Sequence, residues 1–355
     1  MKLEEMRARL DRIDDRIVKL LSARMETSLL TARLKGGVHD KAREEEVLAR
    51  ARKLSGGILR PEATERVFSG LISDSKKLQE QNLKLAAFQG EHGAYSEVAA
   101  GIVDPSAVPI SCPEFADVFS GVKAGHFDFG VVPVENSLEG AVTQVNDLLL
   151  ESDLTIAAEA YVPVHHCLLA LHDSDYREIK AVYSHPQALA QCRGFIERNR
   201  LEARPFYDTA GAAMMLSEER LRAAGAIASR LCAKLYGLEV VKENIEDHQS
   251  NTTRFVALAR EKNSKAGNKC SIAFATSHKA GSLFSVLSIF KSASLNLTRI
   301  ESRPIRSEPR KYAFLLDFQG SDSDGTVIDA LEKVKKETAM YKFLGCYEEA
   351  GQVES

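Results

Sequence analysis

The sequence predicts a multidomain protein, all-α over residues 1–82, α/β over 84–262 and a small α+β unit over 269–355. Three observations carry this. From Leu3 to Lys35 there is neither Gly nor Pro, and the apolar residues step by three and four. From residue 84 onward, short apolar runs alternate with helical patterns. Beyond a polar, Gly-containing stretch at 263–268, the order becomes strand, helix, strand, strand, helix, strand.

In the first segment, Leu3, Met6, Leu10, Ile13, Ile17 and Leu20 form a heptad seam, which turns polar at Arg24, Thr27 and Thr31. Such a helix is about 50 Å long at 1.5 Å per residue. The helices that follow, about 40–53 and 61–82, are too short to cover it, so a homodimer is expected, each chain covering the other. The polar residues are spaced for a pocket. Arg24 and Lys35 lie close to three whole turns apart and share a face. Asp40 stands where a helix N-cap belongs, with Arg43 and Glu44 in the first turn that follows. Ser75 and Gln79 are one turn apart. Singly, each charged residue reads as a solvated helix face; together with Arg7 they read as an anion site.

In the second segment, strands are expected at 84–88, 128–132, 154–162, 179–183, 224–228 and 254–259, and helices at 114–124, 140–150, 187–199, 209–219 and 229–236. The alternation predicts largely parallel sheets with a ligand at the strand ends. Polar clusters sit there. Gly90-Glu91-His92-Gly93-Ala94-Tyr95-Ser96 has glycines that could turn backbone N–H groups toward an anion, but it is neither a GxGxxG fingerprint nor a Walker loop. Pro133-Val134-Glu135-Asn136-Ser137, Ser184-His185-Pro186-Gln187 and Asn251-Thr252-Thr253-Arg254-Phe255 are the others. The last offers a hydroxyl, a guanidinium and an aromatic ring, and its plain reading is the start of a strand. The plain reading of His185 is a helix cap or loop hydrogen bond, with a rival reading as an acid.

The third segment places strands near 270–276, 296–305, 311–318 and 340–346 and helices near 281–292 and 325–338, a ferredoxin-like βαββαβ pattern.

Composition is that of an ordinary globular protein, 44% hydrophobic and 27% charged, with a net charge of −3. Residues 1–82 carry 18 Lys and Arg against 14 Asp and Glu. The two signs are interleaved, with no aromatic set for stacking bases, so a small anion is the expected partner and nucleic acid is not. No apolar run reaches a membrane span and no leader is visible. Cys112, Cys167, Cys192, Cys232, Cys270 and Cys346 form no CxxC pair and read as reduced thiols of a cytoplasmic protein. No metal-ligand cluster is apparent, and neither metal nor cofactor is expected.

The first set, Arg7, Arg24, Lys35, Asp40, Arg43, Glu44, Ser75 and Gln79, resembles the all-helical chorismate mutases. The resemblance implies that Arg7 (from the other protomer), Arg24 and Ser75 hold carboxylates. Lys35 and Gln79 would meet the ether oxygen and Glu44 the ring hydroxyl, with Asp40 and Arg43 in support. The runs Gly90–Ser96, Pro133–Ser137, His166-Cys167-Leu168-Leu169, Ser184–Gln187 and Asn251–Phe255 together resemble prephenate dehydratase. That resemblance implies a two-lobed fold like periplasmic binding proteins, with Thr253 donating a proton to the departing hydroxyl. Glu135, Asn136, Ser137, Ser184, Gln187, Arg254 and Phe255 would surround the substrate. The third segment resembles an ACT domain. Glu301-Ser302-Arg303-Pro304 matches the phenylalanine-binding motif, and Gly281-Ser282-Leu283-Phe284 stands where Gly-Ala-Leu-Val is usual. The combination implies rearrangement of chorismate to prephenate, conversion of prephenate to phenylpyruvate, and inhibition by L-phenylalanine. A ligand sensor without catalysis, or a nucleic-acid regulator built on the basic helices, are the rival readings; the retained basic set and Thr253 argue against the sensor.

Overall fold

The structure, a computed structural model, describes residues 3–35, 37–172, 174–262, 266–277, 279–305 and 311–351. Asn263, Ser264 and Lys265 of the expected linker, and Gly36 before Asp40, lie outside the described residues. The chain divides into two compact bodies, Met1–Lys84 and Leu85–Ser355.

The first body holds α1 (Leu3–Lys35), α2 (Lys41–Leu54) and α3 (Pro61–Glu80). Asp40 caps α2 by accepting the Arg43 N–H at 3.0 Å. Pro61 opens α3, where its missing N–H leaves nothing unpaired. The apolar seam of α1 is bare within one chain: Leu3 is 66% exposed and Leu20 70%. Among the described hydrophobic residues of this body only Leu29 and Ala51 are deeply buried.

The second body has three layers of structure. Its first lobe contains β1 (Leu85–Gln89), α4 (Tyr95–Val103), β2 (Val108–Cys112), α5 (Phe115–Ala124), β3 (Phe129–Asn136), β4 (Gly140–Ala141), α6 (Thr143–Glu151) and β5 (Thr155–Pro163). The second lobe contains β6 (Cys167–Ala170), β7 (Ala181–Ser184), α7 (Pro186–Gln191), α8 (Arg193–Arg198), β8 (Glu202–Pro205), α9 (Thr209–Glu219), β9 (Ala224–Ala228), α10 (Arg230–Tyr236) and β10 (Glu239–Lys242). The chain then returns to the first lobe as β11 (Thr252–Ala259), which inserts between β3 and β5.

The sheets, in the orders β2-β1-β3-β11-β5 and β10-β6-β9-β7-β8, are mixed rather than largely parallel. β1 runs parallel to β2 and β3, and β7 to β8 and β9, but β11 is antiparallel to both neighbours. The reason is connectivity: β11 comes back from the other lobe and so enters against the run of its neighbours. The helix expected from 140 begins at Thr143, after the short β4, and the one expected over 187–199 breaks at Cys192.

The third layer is β12 (Lys269–Ala275), α11 (Ser282–Ser292), β13 (Leu297–Pro304), β14 (Tyr312–Gln319), α12 (Gly325–Glu337) and β15 (Met340–Tyr347). It makes the ACT-like sheet β13-β14-β12-β15, antiparallel throughout. Both helices pack on one face, over Ile272, Phe274, Leu316 and Phe318. The other face lies on the first lobe. There Gly345, at φ +152°, brings its backbone so close to the Ile156 carbonyl that a Cβ would sit 2.2 Å from that oxygen.

Candidate active sites

In the helical body, side chains from all three helices converge. Arg24 donates to Ser75 Oγ at 2.6 Å and to the Leu71 carbonyl at 3.3 Å. Gln79 Nε2 donates to the Ser28 carbonyl at 2.8 Å. Glu44 meets Lys76 Nζ at 2.5 Å, and Lys35 meets Asp40 at 2.9 Å. That lysine, with the Arg43 backbone N–H, holds the Asp40 carboxyl below its usual range. Two expected members stand apart. Arg43 turns along the exposed side of α2 to Glu46 at 2.6 Å. Arg7 is exposed and lies 17 residues before Arg24 on the same unbroken helix, about 25 Å at 1.5 Å per residue. The two arginines of one chain therefore cannot grip one small molecule.

In the second body the centre is Thr253, the second residue of β11. Its Oγ1 accepts the Asn136 Nδ2–H at 2.8 Å. The second Nδ2–H goes to Asn251 Oδ1 at 2.7 Å. The orientation of this amide is fixed, because Asn136 Oδ1 accepts the backbone N–H groups of Leu138 and Glu139 at 3.0 and 3.1 Å. Ser137 ties the same two segments together, donating to the Ser250 carbonyl at 3.1 Å and accepting the Thr252 N–H at 3.0 Å. Asn251 Nδ2 reaches Gln191 Oε1 at 3.2 Å, and His166 Nε2 reaches that same oxygen at 2.9 Å. Glu139 accepts from Gln187 and, at 3.0 Å, from Gln191. One hydrogen-bonded chain thus links Thr253 in the first lobe to α7 in the second. Burial keeps the His166 ring neutral by lowering its pKa.

Several expected members are elsewhere. Ser184 is fully buried and donates to the Ile227 carbonyl at 2.5 Å, inside the second lobe. His185 caps α7, its Nδ1 accepting the Gln187 N–H at 3.3 Å. Gly90 and Gly93 cradle no anion: their N–H groups are taken by the Cys112 carbonyl at 3.0 Å and by Glu97 at 2.5 Å. Phe255, 2% exposed, packs beside Tyr95 in the core of the first lobe. Arg254 and Glu135 fall on the opposite face of the sheet from Thr253 and Asn136, since neighbours on a strand alternate. Arg254 is buried against Glu159 at 2.7 Å, Asp317 at 2.5 Å and Tyr347 at 2.9 Å. Its charge is met by Glu159 of the first lobe and Asp317 of the third layer, not by a ligand in the cleft.

In the ACT-like layer, Gly281 adopts φ +86° before α11 with open space at its Cβ position. With Ser282, Phe284, Thr276, Ser277 and Tyr312 it lines a cleft of about 480 Å³, over which Phe284 stands 74% exposed. Leu283 also lines this cleft and, half-buried, packs against the core of that layer. Arg303 leaves the cleft to pair with Asp147 of α6 at 2.8 Å, and alternation along β13 puts Glu301 on the Arg303 side and Ser302 on the other. All six cysteines are free and buried. Among the described residues no cluster of three or more His, Cys, Asp or Glu could hold a metal, and no helix is long and apolar enough to cross a membrane.

Missed by sequence reading were Gln191 and Glu139, while His166 was marked only as part of a run, without a role. Gln191 carried a signal, lying one helical turn after Gln187; Glu139 carried none.

Two family descriptions match the chain, "Chorismate mutase type II" over residues 6–80 and "Prephenate dehydratase" over 86–263. A bifunctional chorismate mutase/prephenate dehydratase of Aquifex aeolicus is 35% identical over 98% of both chains. Among solved structures, a prephenate dehydratase of Arthrobacter aurescens in complex with L-Phe is 32% identical, with a TM-score of 0.69, covering 75% of this chain and 90% of that one. GqqA, described as a novel type of quorum quenching acylase, is also 32% identical, with a TM-score of 0.70, covering 75% of this chain and 98% of that one. With a catalytic domain of each kind in the two bodies and a relative that matches from end to end, the chain belongs to the bifunctional chorismate mutase/prephenate dehydratase family.

Proposed function

We propose that the helical cluster rearranges chorismate between two copies of the chain and that Thr253 supplies the proton for the second reaction. The Claisen rearrangement needs neither a nucleophile nor a proton transfer. It needs the substrate folded and the charge growing on its ether oxygen offset. Arg24 and Ser75, with Arg7 from a second copy, would hold the carboxylates. Lys35 and Gln79 would face the ether oxygen, and Glu44 the ring hydroxyl. The bare seam of α1 supports a dimer, because a second helix laid along it would cover Leu10, Ile13 and Ile17.

For prephenate, the electrons of the carboxylate-bearing C–C bond enter the ring as CO₂ leaves, and the ring C–O bond breaks. The departing hydroxide takes a proton and leaves as water, giving phenylpyruvate. The observation that carries Thr253 as donor is the Asn136 amide. It donates to Oγ1, so the hydroxyl proton of Thr253 is left to point elsewhere, and the same N–H steadies the alkoxide that forms. Asn136→Asp tests this, since a carboxylate cannot donate there. It should lower dehydratase kcat by about 100-fold, the usual loss for one donor at a developing anion. Unchanged kcat would remove Asn136 from the mechanism.

L-Phenylalanine is proposed to bind in the cleft at Gly281 and Ser282 and to inhibit the dehydratase, a role supported by the L-Phe complex of the Arthrobacter relative. Control requires that it bind two states of the protein unequally. Arg303 ties β13 to α6, so Arg303→Ala should weaken inhibition while leaving uninhibited dehydratase turnover in place. Inhibition curves with calorimetry of phenylalanine binding measure both. Inhibition of wild-type strength in that variant would rule out the α6 contact as the route.

A further inference from the structure

Strands β3 and β11 show opposite faces to two different parts of the molecule. Asn136 and Thr253 look into the cleft; Glu135 and Arg254 look into the ACT-like layer. Under that second face lies a buried array of charge. Arg254 pairs with Glu159 and Asp317, and Lys269 with Glu159 at 3.0 Å. Burial alone would raise the Asp317 pKa, but the guanidinium groups of Arg254 and Arg299 more than offset it and hold the carboxyl below its usual range. Arg299 of β13 is the one member that reaches sideways to the end of β3. Its Nη2 donates to Asn146 Oδ1 at 2.7 Å, its Nε lies 3.6 Å from Glu135, and its Nη1 lies 3.9 Å from Asp317. Asn146, fully buried, in turn donates to the Val134 carbonyl at 3.2 Å.

We propose that Arg299 is a positioning residue of the dehydratase site: from the ACT-like sheet it fixes the Val134–Asn136 end of β3, and through Asn136 the hydroxyl of Thr253. It touches no substrate. Its three partners are Glu135, beside Asn136 in sequence; Asn146, which holds the Val134 carbonyl; and Asp317, which holds the strand neighbour of Thr253. A planar guanidinium can serve all three at once, and no other side chain has that fork. Asn136 then presents its N–H to Thr253 at a set distance only while Arg299 is seated. The inference rests on the reading of Asn136 and Thr253 given above.

The test is steady-state kinetics on prephenate with Arg299→Gln and Arg299→Lys in the full chain. Positioning of a proton donor acts in the transition state, so kcat should fall while KM stays within about twofold. A fall of roughly five- to tenfold is expected, from the usual size of coupling through packed networks. Arg299→Lys keeps the charge facing Asp317 and hence the fold, but not the fork to Asn146, so it should lose kcat similarly and decides the matter if Arg299→Gln does not fold. Placed on Asn136→Asp, Arg299→Lys should add less than about twofold, because both act on one hydroxyl. Wild-type kcat in a folded Arg299→Lys, or a loss that simply multiplies with that of Asn136→Asp, overturns the proposal. Failure of the Thr253 reading would look different: Asn136→Asp alone would keep full turnover.

Discussion

Thr253→Val should abolish most dehydratase turnover in a folded protein, by about 10²- to 10⁴-fold, the range for a positioned general acid. Valine keeps the branched shape that β11 packs, and it removes only the hydroxyl. The Asn136 N–H that donated to Oγ1 loses its acceptor while the amide's other N–H keeps its bond to Asn251 at 2.7 Å, so the structural penalty should stay within about 1–3 kcal/mol. Thr253→Ser keeps the donor and should keep appreciable turnover. Conversion of chorismate to prephenate by the same preparation is the control and should persist in both variants. Near-normal dehydration by Thr253→Val would move the acid elsewhere; His185, though it caps α7 through Nδ1, would be examined first.

Arg24→Ala should remove mutase turnover and leave prephenate dehydration intact. Arg24 is half-buried where the seam of α1 turns polar, and its guanidinium is already oriented by Ser75 and the Leu71 carbonyl. Losing one charge-assisted contact in a closed site should remove about 3 kcal/mol of transition-state stabilisation, roughly 100-fold in rate. Assaying both activities on one variant measures it. Parallel loss of both in folded protein would refute two separate sites.

Much of this molecule was legible because its signals are local. The helices of the first body follow from a 3.6-residue period, an N-cap at Asp40 and a proline at residue 61. The βαββαβ order of the third layer follows in the same way. The place of β11 was not legible, because its antiparallel seat between β3 and β5 is set by the chain's return from a second lobe, and no local pattern records that. The grouping of Arg254 with Thr253 overlooked a signal that was present: adjacent residues of one strand cannot face one cleft. The same holds for Glu135 and Asn136. Ser184 was misplaced because a strand end reads as open, whereas here its hydroxyl closes onto the Ile227 carbonyl.

The charge array beneath β11 also bears on how this protein can evolve. A regulatory module joined by a tether can be gained, lost or exchanged without disturbing its neighbour. Here the ACT-like layer supplies Asp317 to Arg254, and the first lobe supplies Glu159 to Lys269 as well as to Arg254. Stripping one partner from a buried pair destabilises by about 3–5 kcal/mol, a large share of a typical domain's stability. The two parts therefore share a single fitness: drift that loosens one is selected against through the other. Substitutions at Asp317 or Lys269 are expected to be inherited together with changes at Arg254 or Glu159, as residues of one lineage rather than of two.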